Sequence, residues 1–205
     1  MPELRLDERF VSPALDPRLA WRREPRHWQV EPEAGRLRVE PDGETDFWQR
    51  THYGFQVDNG HFLFAEVGGS FRLATRVSFE PAHQYDQAGL MVRLSEDFWL
   101  KTSIEHEPGT TNRLGVVVTN AGYSDWSTQD VPSELREIWL RVERTGADYL
   151  VESSTTGTSW SQLRLAHLHR DDGLQPVAAG LYACSPKAPG YVAEFAFLSI
   201  EPLTS

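Results

Sequence analysis

The chain has 205 residues and a single cysteine, Cys184. No intramolecular disulfide and no all-cysteine metal site is available to it. With no His or acid beside it in sequence, that thiol reads as buried and inert. Lysine is nearly as scarce, Lys101 and Lys187 being the two present. No run of about 18 apolar residues occurs, which excludes a transmembrane helix. Charges interrupt Met1 to Arg9 at every second or third position, so no signal-peptide core is present. A cytoplasmic protein is the expectation, with a trimmed leader as the alternative. The net charge is −10 and the pI about 5.1. Without a basic face, nucleic acid and an anionic membrane surface are poor partners. No Gly-x-Ser-x-Gly, P-loop or dinucleotide fingerprint is found, and no cofactor is implied. Metal ligation finds no support either. His167-x-His169 lacks a third ligand nearby, and Asp171-Asp172-Gly173 is too short for an EF-hand loop.

Helical periodicity is also nearly absent. Ser133 to Glu137 and Leu163 to Leu168 are the two places where a helical turn would fit. Elsewhere short apolar or alternating runs are cut by Gly, Pro, Asn and Asp, which predicts an all-β sandwich or barrel. The predicted strands are 36–40, 61–67, 71–79, 88–94, 98–105, 114–119, 138–144, 148–153, 177–182 and 193–200. No low-complexity linker and no repeat period divides them, so residues 1–205 read as one domain. The Pro-rich first 20 or so residues read as an arm packed on its edge.

Period two sorts each strand into faces. Phe98, Leu100 and Ile104 oppose Trp99, Lys101, Ser103 and Glu105. Ile138, Leu140 and Val142 oppose Trp139, Arg141 and Glu143. Leu90, Val92 and Leu94 oppose Met91 and Arg93. The greasy faces meet in a core. The second faces mix large aromatics with charges. They are either plain solvated surface, an interface, or a shallow ligand groove.

Several motifs together resemble a known family. They are Thr45 to Phe55 (TDFWQRTHYGF), Tyr85 to Met91, Trp99 to Glu105, Val117 to Asn120, Ser124 to Ser127 and Cys184-Ser185-Pro186 before a last strand. In this order they resemble an uncharacterised bacterial and fungal family of concanavalin A-like domains, one of whose yeast members is named as a regulation-of-enolase protein. The resemblance covers roughly residues 12 to 202. It implies a jelly-roll sandwich of two antiparallel sheets, like legume lectins and laminarinase-type glucanases. It implies no reaction, since jelly rolls host lectins, glycosidases and interaction modules alike.

The glucanase Glu-x-Asp-x-x-Glu pattern is not met. The nearest segment is Glu105-His106-Glu107, whose carboxylates would lie about 7 Å apart on one strand face. Pro108-Gly109 follows, which puts Glu107 at the strand end. Glu105 therefore reads as an acceptor for sugar hydroxyls or a salt-bridge partner of Arg141, and as a weak catalytic candidate. Asp86 and Gln87 either shape their loop or line one end of a groove. Trp126, in an aromatic loop, either stacks on a sugar ring or folds onto the core. The leading expectation is a non-catalytic binding domain, its ligand a carbohydrate on the polar concave sheet. Its candidate residues are Trp48, His52, Trp99, Lys101, Glu105, Trp126 and Arg141. The alternatives are a glycan-acting hydrolase or lyase using Glu105, and a protein-interaction module with a partner or homo-oligomer interface.

Overall fold

The computed structural model describes residues 4–203. The ends of the predicted 1–205 domain, and the first three residues of the predicted arm, lie outside the described residues. The strands run β1 (Leu6–Glu8), β2 (Ala20–Arg22), β3 (His27–Glu31), β4 (Arg36–Glu40) and β5 (Phe47–Gln49). They continue with β6 (Gln56–Asp58), β7 (His61–Val67), β8 (Phe71–Glu80), β9 (Gln87–Ser95) and β10 (Phe98–Glu105). Next come β11 (Asn112–Asn120), β12 (Tyr123–Val131), β13 (Glu137–Thr145) and β14 (Asp148–Ser154). The last are β15 (Ser161–His167), β16 (Val177–Cys184), β17 (Val192–Phe195) and β18 (Leu198–Pro202).

They form a concanavalin A-like jelly-roll sandwich in which every strand pairing is antiparallel. The first sheet has the order β15-β14-β13-β8-β17-β4-β3, with β18 on β8 and β1 on β18. The second has the order β12-β11-β10-β9-β16-β7-β2. The small hairpin β5-β6 stands apart from both. Among the described residues there is no helix, hence none long and apolar enough to cross a membrane.

Alternation in sequence becomes alternation in burial. In β8, Phe71, Leu73, Thr75, Val77 and Phe79 are buried while the residues alternating with them, Arg72, Ala74, Arg76 and Ser78, are half-buried. In β13, Ile138, Leu140 and Val142 are buried in the same way. The apolar side chains among these meet Leu63, Leu90, Leu100, Val116 and Leu181 from the second sheet in one core. A fully buried side chain of this size contributes about 1.5–3 kcal/mol.

Several expectations need correction. Leu163 to His167 lie in strand β15, and Ser133-Glu134-Leu135 is a turn closed by the Leu135 amide on the Pro132 carbonyl. Tyr123 to Ser127, read as an aromatic loop, lies in strand β12. Both strands sit at sheet edges and are mostly exposed, so neither buries one clean face. The predicted strand 193–200 is two strands. They break at Ala196-Phe197, where the Ala196 amide and the Phe197 carbonyl bond to Arg76 and Thr75 of β8.

One ion pair lies wholly inside. Arg144 of β13 donates through Nε to Asp171 Oδ2 at 2.8 Å, and its Nη2 also bonds Asp171. Tyr149 donates to the same carboxylate. Both Arg144 and Asp171 side chains have 0% exposure. Burial pushes the Asp171 carboxyl up, but the bonds from Arg144, Tyr149 and the Gly173 amide outweigh it and hold the carboxyl below its ordinary value. Asp171→Ala strands a buried guanidinium. It is expected to cost about 3–5 kcal/mol in urea unfolding. A loss near zero would mean that solvent reaches Arg144 and that the pair does not hold this end of the sandwich.

Candidate functional site

The two sheets treat their second faces differently. On the first sheet, that face is a lattice of ion pairs. Arg72 bonds Glu143 at 2.7 Å, and Arg141 bonds Glu152 through Nε at 2.7 Å. Trp139 lies there under Arg76, and Trp160 under Arg141 at 4.2 Å. On the second sheet, β9 and β10 are buried on both faces over most of their length. The cover is β5. Phe47 and Trp48 pack with Phe62, Met91, Trp99, Val117, Tyr182 and Cys184 in a second apolar cluster.

The seat of β5 is tight. A Cβ on Gly60 would fall 2.3 Å from the Phe47 ring and 2.5 Å from Cys184 Sγ, so only glycine leaves room. Asn59 and Gly60 donate their amides to the Asp46 carbonyl, and Asn59 Oδ1 accepts from the Asp46 amide at 2.9 Å. These bonds fix Asp46 over the sheet. Lys101 Nζ donates to Asp46 Oδ1 at 3.0 Å and to Gln87 Oε1 at 2.8 Å. Tyr182 donates to the same Gln87 oxygen at 3.1 Å. Gln87 Nε2 in turn donates to Glu105 Oε2 at 2.9 Å and to the Tyr85 carbonyl at 3.1 Å. The register explains the grouping, because Gln87 is directly opposite Glu105 on neighbouring strands.

Above this floor opens a pocket of about 510 Å³, within the ordinary range for small-molecule sites. Asp46, Lys101 and Glu105 reach it from below, and Trp48, Tyr53, Phe55, Tyr85 and Trp126 form its walls. Glu44 and Lys187 stand among the remaining lining residues. Lys101 commits two of its three N–H groups to protein partners. Among the described residues, Glu105 Oε1 has no protein partner. Burial pushes the Glu105 carboxyl up to about 8 against the pull of Lys101, with the Asp46 and Glu107 carboxylates adding to the rise and the Gln87 bond opposing it. The rise favours the protonated form of Glu105 near neutral pH, in which the carboxyl donates as well as accepts.

The structure gathers Trp48, Lys101, Glu105 and Trp126 around this pocket. It does not gather the other three candidates. Trp99 has 0% exposure, lies beneath the floor and donates Nε1 to the Glu96 carbonyl at 3.0 Å. His52 is exposed on the hairpin loop against Tyr53, outside the lining. Arg141 belongs to the first sheet, held by Glu152, so it is no partner of Glu105. Asp86 does shape its loop. It accepts from the Ala82 and His83 amides and from Ser185 Oγ. Glu107 falls beyond the end of β10 and bonds Gln84 at 2.8 Å. Cys184 is buried, and burial pushes its thiol well up.

Sequence reasoning missed Asp46, Tyr53, Phe55 and Lys187. The polar Gln49 and Gln56 in the TDFWQRTHYGFQ stretch mark a hairpin, and the exposed Tyr53 and Phe55 between them were the available signal.

The profile of a family described as "Protein of unknown function (DUF1349)" matches residues 21–203. The chain is 39% identical over 168 residues to Regulation of enolase protein 1 of Saccharomyces cerevisiae, covering 82% of each. It matches the crystal structure of a functionally unknown Saccharomyces cerevisiae protein with a TM-score of 0.82 at 37% identity, covering 91% of this chain and 98% of that one. A Bacteroides ovatus protein described as xyloglucan PUL GH43B matches with a TM-score of 0.77 at 20% identity, over 99% of this chain and 40% of that one. The last likeness is one of fold, and the chain spans less than half of that protein.

The Glu105 proton has a measurable signature. The carboxyl moves from an ordinary 4.5 to about 8 on folding, so between those values the folded state holds a proton that the unfolded chain has released. Unfolding free energy therefore falls as pH rises through the window, by about 1.4 kcal/mol per unit from this group. Below the window both states are protonated, above it both are ionised, and the contribution is flat. Urea unfolding across this range is expected to show the slope in wild type and to lose that part of it in Glu105→Gln. Parallel curves for the two proteins would refute the proton's placement.

Proposed function

We propose that this chain, which belongs to the family described as "Protein of unknown function (DUF1349)", is a carbohydrate-binding domain whose site is the pocket over β10. One observation carries the reading. The polar floor is only partly committed to the protein, and it lies between aromatic walls. A sugar ring offers hydroxyls at its edge and C–H groups on its faces. The free N–H of Lys101, the open oxygen of Glu105 and the Asp46 carboxylate suit the hydroxyls. Trp48 and Trp126 suit the faces. A recessed pocket supports a small ligand over the flat patch that a protein-interaction module would use. The likeness in fold to the Bacteroides ovatus protein adds support, because its description names xyloglucan.

The protonated Glu105 favours a second reading, glycoside hydrolysis. That chemistry needs an acid to protonate the leaving oxygen and a second carboxylate for water or the sugar carbon. Glu44 and Asp46 are the other carboxylates of the lining; Asp46, the one bonded into the floor, already accepts at Oδ1 from Lys101 and from the Phe47 amide. Saturation of that oxygen weakens it as a base or nucleophile, so binding is the reading adopted.

Titration calorimetry with xylo- and cello-oligosaccharides tests it. Wild type is expected to bind at least one series without releasing new reducing ends. Trp126→Ala is expected to weaken binding by about tenfold, the equivalent of ~1.4 kcal/mol, with its melting temperature little changed. Steady release of reducing ends, abolished in Glu105→Gln, would replace this reading by the hydrolase. Absence of binding across both series would sink the carbohydrate assignment.

A further inference from the structure

The hairpin that closes the pocket carries more exposed aromatic surface than its own packing needs. Tyr53 is 57% exposed and Phe55 45% exposed. Their rings lie 5.9 Å apart with planes only 22° from parallel, so they stack into one aromatic unit that leaves an outer face open. Tyr53 also rests against Trp48 at 5.5 Å, which joins this face to the pocket wall.

The platform is held stiffly. Both backbone groups of Arg50 close the loop, its amide donating to the Phe55 carbonyl at 2.9 Å and its carbonyl accepting from the Gly54 amide at 2.8 Å. Trp48 Nε1 donates to the Thr51 carbonyl at 3.1 Å. Arg50 Nη1 donates to the Gly122 carbonyl at 2.9 Å and ties the loop to the turn before β12. Arg50 and His52 take φ of 55° and 63°, a left-handed backbone that side chains other than glycine adopt at a cost. A loop bonded this closely, in a backbone this unfavourable, does not serve as a loose tether.

Charge narrows the ligand. Glu44, Asp46, Glu105, Lys101 and Lys187 are the ionisable acids and lysines of the lining. With Glu105 neutral, two carboxylates face two ammonium groups and the lining carries no net charge. Lys101 is already matched by Asp46. An acidic sugar would find no unpaired cation on the floor.

Resting on the carbohydrate reading above, we propose that the site takes an uncharged oligosaccharide of at least two rings, the first on the Lys101–Glu105 floor and the second stacked on Tyr53 and Phe55. The proposal makes affinity a function of chain length, and it assigns that dependence to two exposed residues that are members of neither buried apolar cluster.

The test compares xylose, xylobiose and xylotriose, the glucose-to-cellotriose series and oligogalacturonides, using the intact chain. Wild type is expected to gain roughly three- to tenfold in affinity from one ring to two in a neutral series. The double variant Tyr53→Ala/Phe55→Ala is expected to lose that gain while melting like wild type. Oligogalacturonides are expected to bind at least tenfold more weakly than the neutral dimer. Affinity that does not rise with length, or a rise that survives the double variant, would overturn the two-ring proposal and leave carbohydrate binding standing. Oligogalacturonides that bind as tightly as the neutral dimer would overturn its uncharged character. Failure of every saccharide to bind would remove the carbohydrate reading and this proposal with it.

Discussion

Lys101 is the constraint on which this face of the molecule depends. It is 4% exposed on the middle of a sheet whose neighbouring side chains are aromatic or aliphatic. An ammonium there needs both a countercharge and acceptors, because burying it bare costs several kcal/mol. Asp46 and Gln87 supply them. Asp46 comes from outside the sheet, so satisfying Lys101 requires the chain before β5 to lie across β10. The next two residues, Phe47 and Trp48, then bury themselves on Trp99 and Tyr182. A polar need and an apolar one thus act on adjacent residues and hold the same hairpin in the same place. The hairpin in turn makes the pocket wall.

Gln87 passes this order on to Glu105. Lysine is a donor only, so the end of the amide facing Lys101 must be the oxygen. The NH₂ end is then aimed at Glu105 and the Tyr85 carbonyl. Glu105 receives a neutral donor and no direct cation contact. Desolvation therefore outweighs the attraction of the nearby ammonium and keeps the proton on the carboxyl. Had Lys101 bonded Glu105 directly, the carboxylate would be ionised and the floor would be one more salt bridge. The first sheet carries that arrangement instead, in Arg141–Glu152 and Arg72–Glu143.

This contrast explains what could be read in advance. Period two in β8, β10 and β13 tells which side chains share a face, and the core follows from it. It does not tell which sheet a strand joins or what covers its second face. Trp99-x-Lys101-x-Ser103-x-Glu105 and Trp139-x-Arg141-x-Glu143 look alike as patterns, yet one is roofed by a hairpin and the other faces solvent. Arg141 was grouped with Glu105 for that reason. Trp99 looked available for stacking because the roof that buries it comes from a segment about 50 residues earlier. Asp46 and Lys101 meet across 55 residues of chain, and no local period records such a meeting. The edge strands β12 and β15 escaped notice on the same physical ground, since a strand with little burial has little periodicity.

Net charge is a property of the exterior and a poor guide to this site. The chain carries −10 overall, while the pocket lining balances its carboxylates against Lys101 and Lys187 once Glu105 holds its proton. These two facts act in the same direction on a ligand. An anionic polymer approaching the protein meets repulsion outside and, on the pocket floor, a cation already paired with Asp46. An uncharged polyol meets neither obstacle. Both scarce lysines of the chain line this one pocket. Lys101 serves there as a hydrogen-bond donor to Asp46 and Gln87, and Lys187 lies over the Tyr85 ring, tasks for a compact ammonium head, whereas the planar arginine forks of this chain are committed elsewhere to carboxylates.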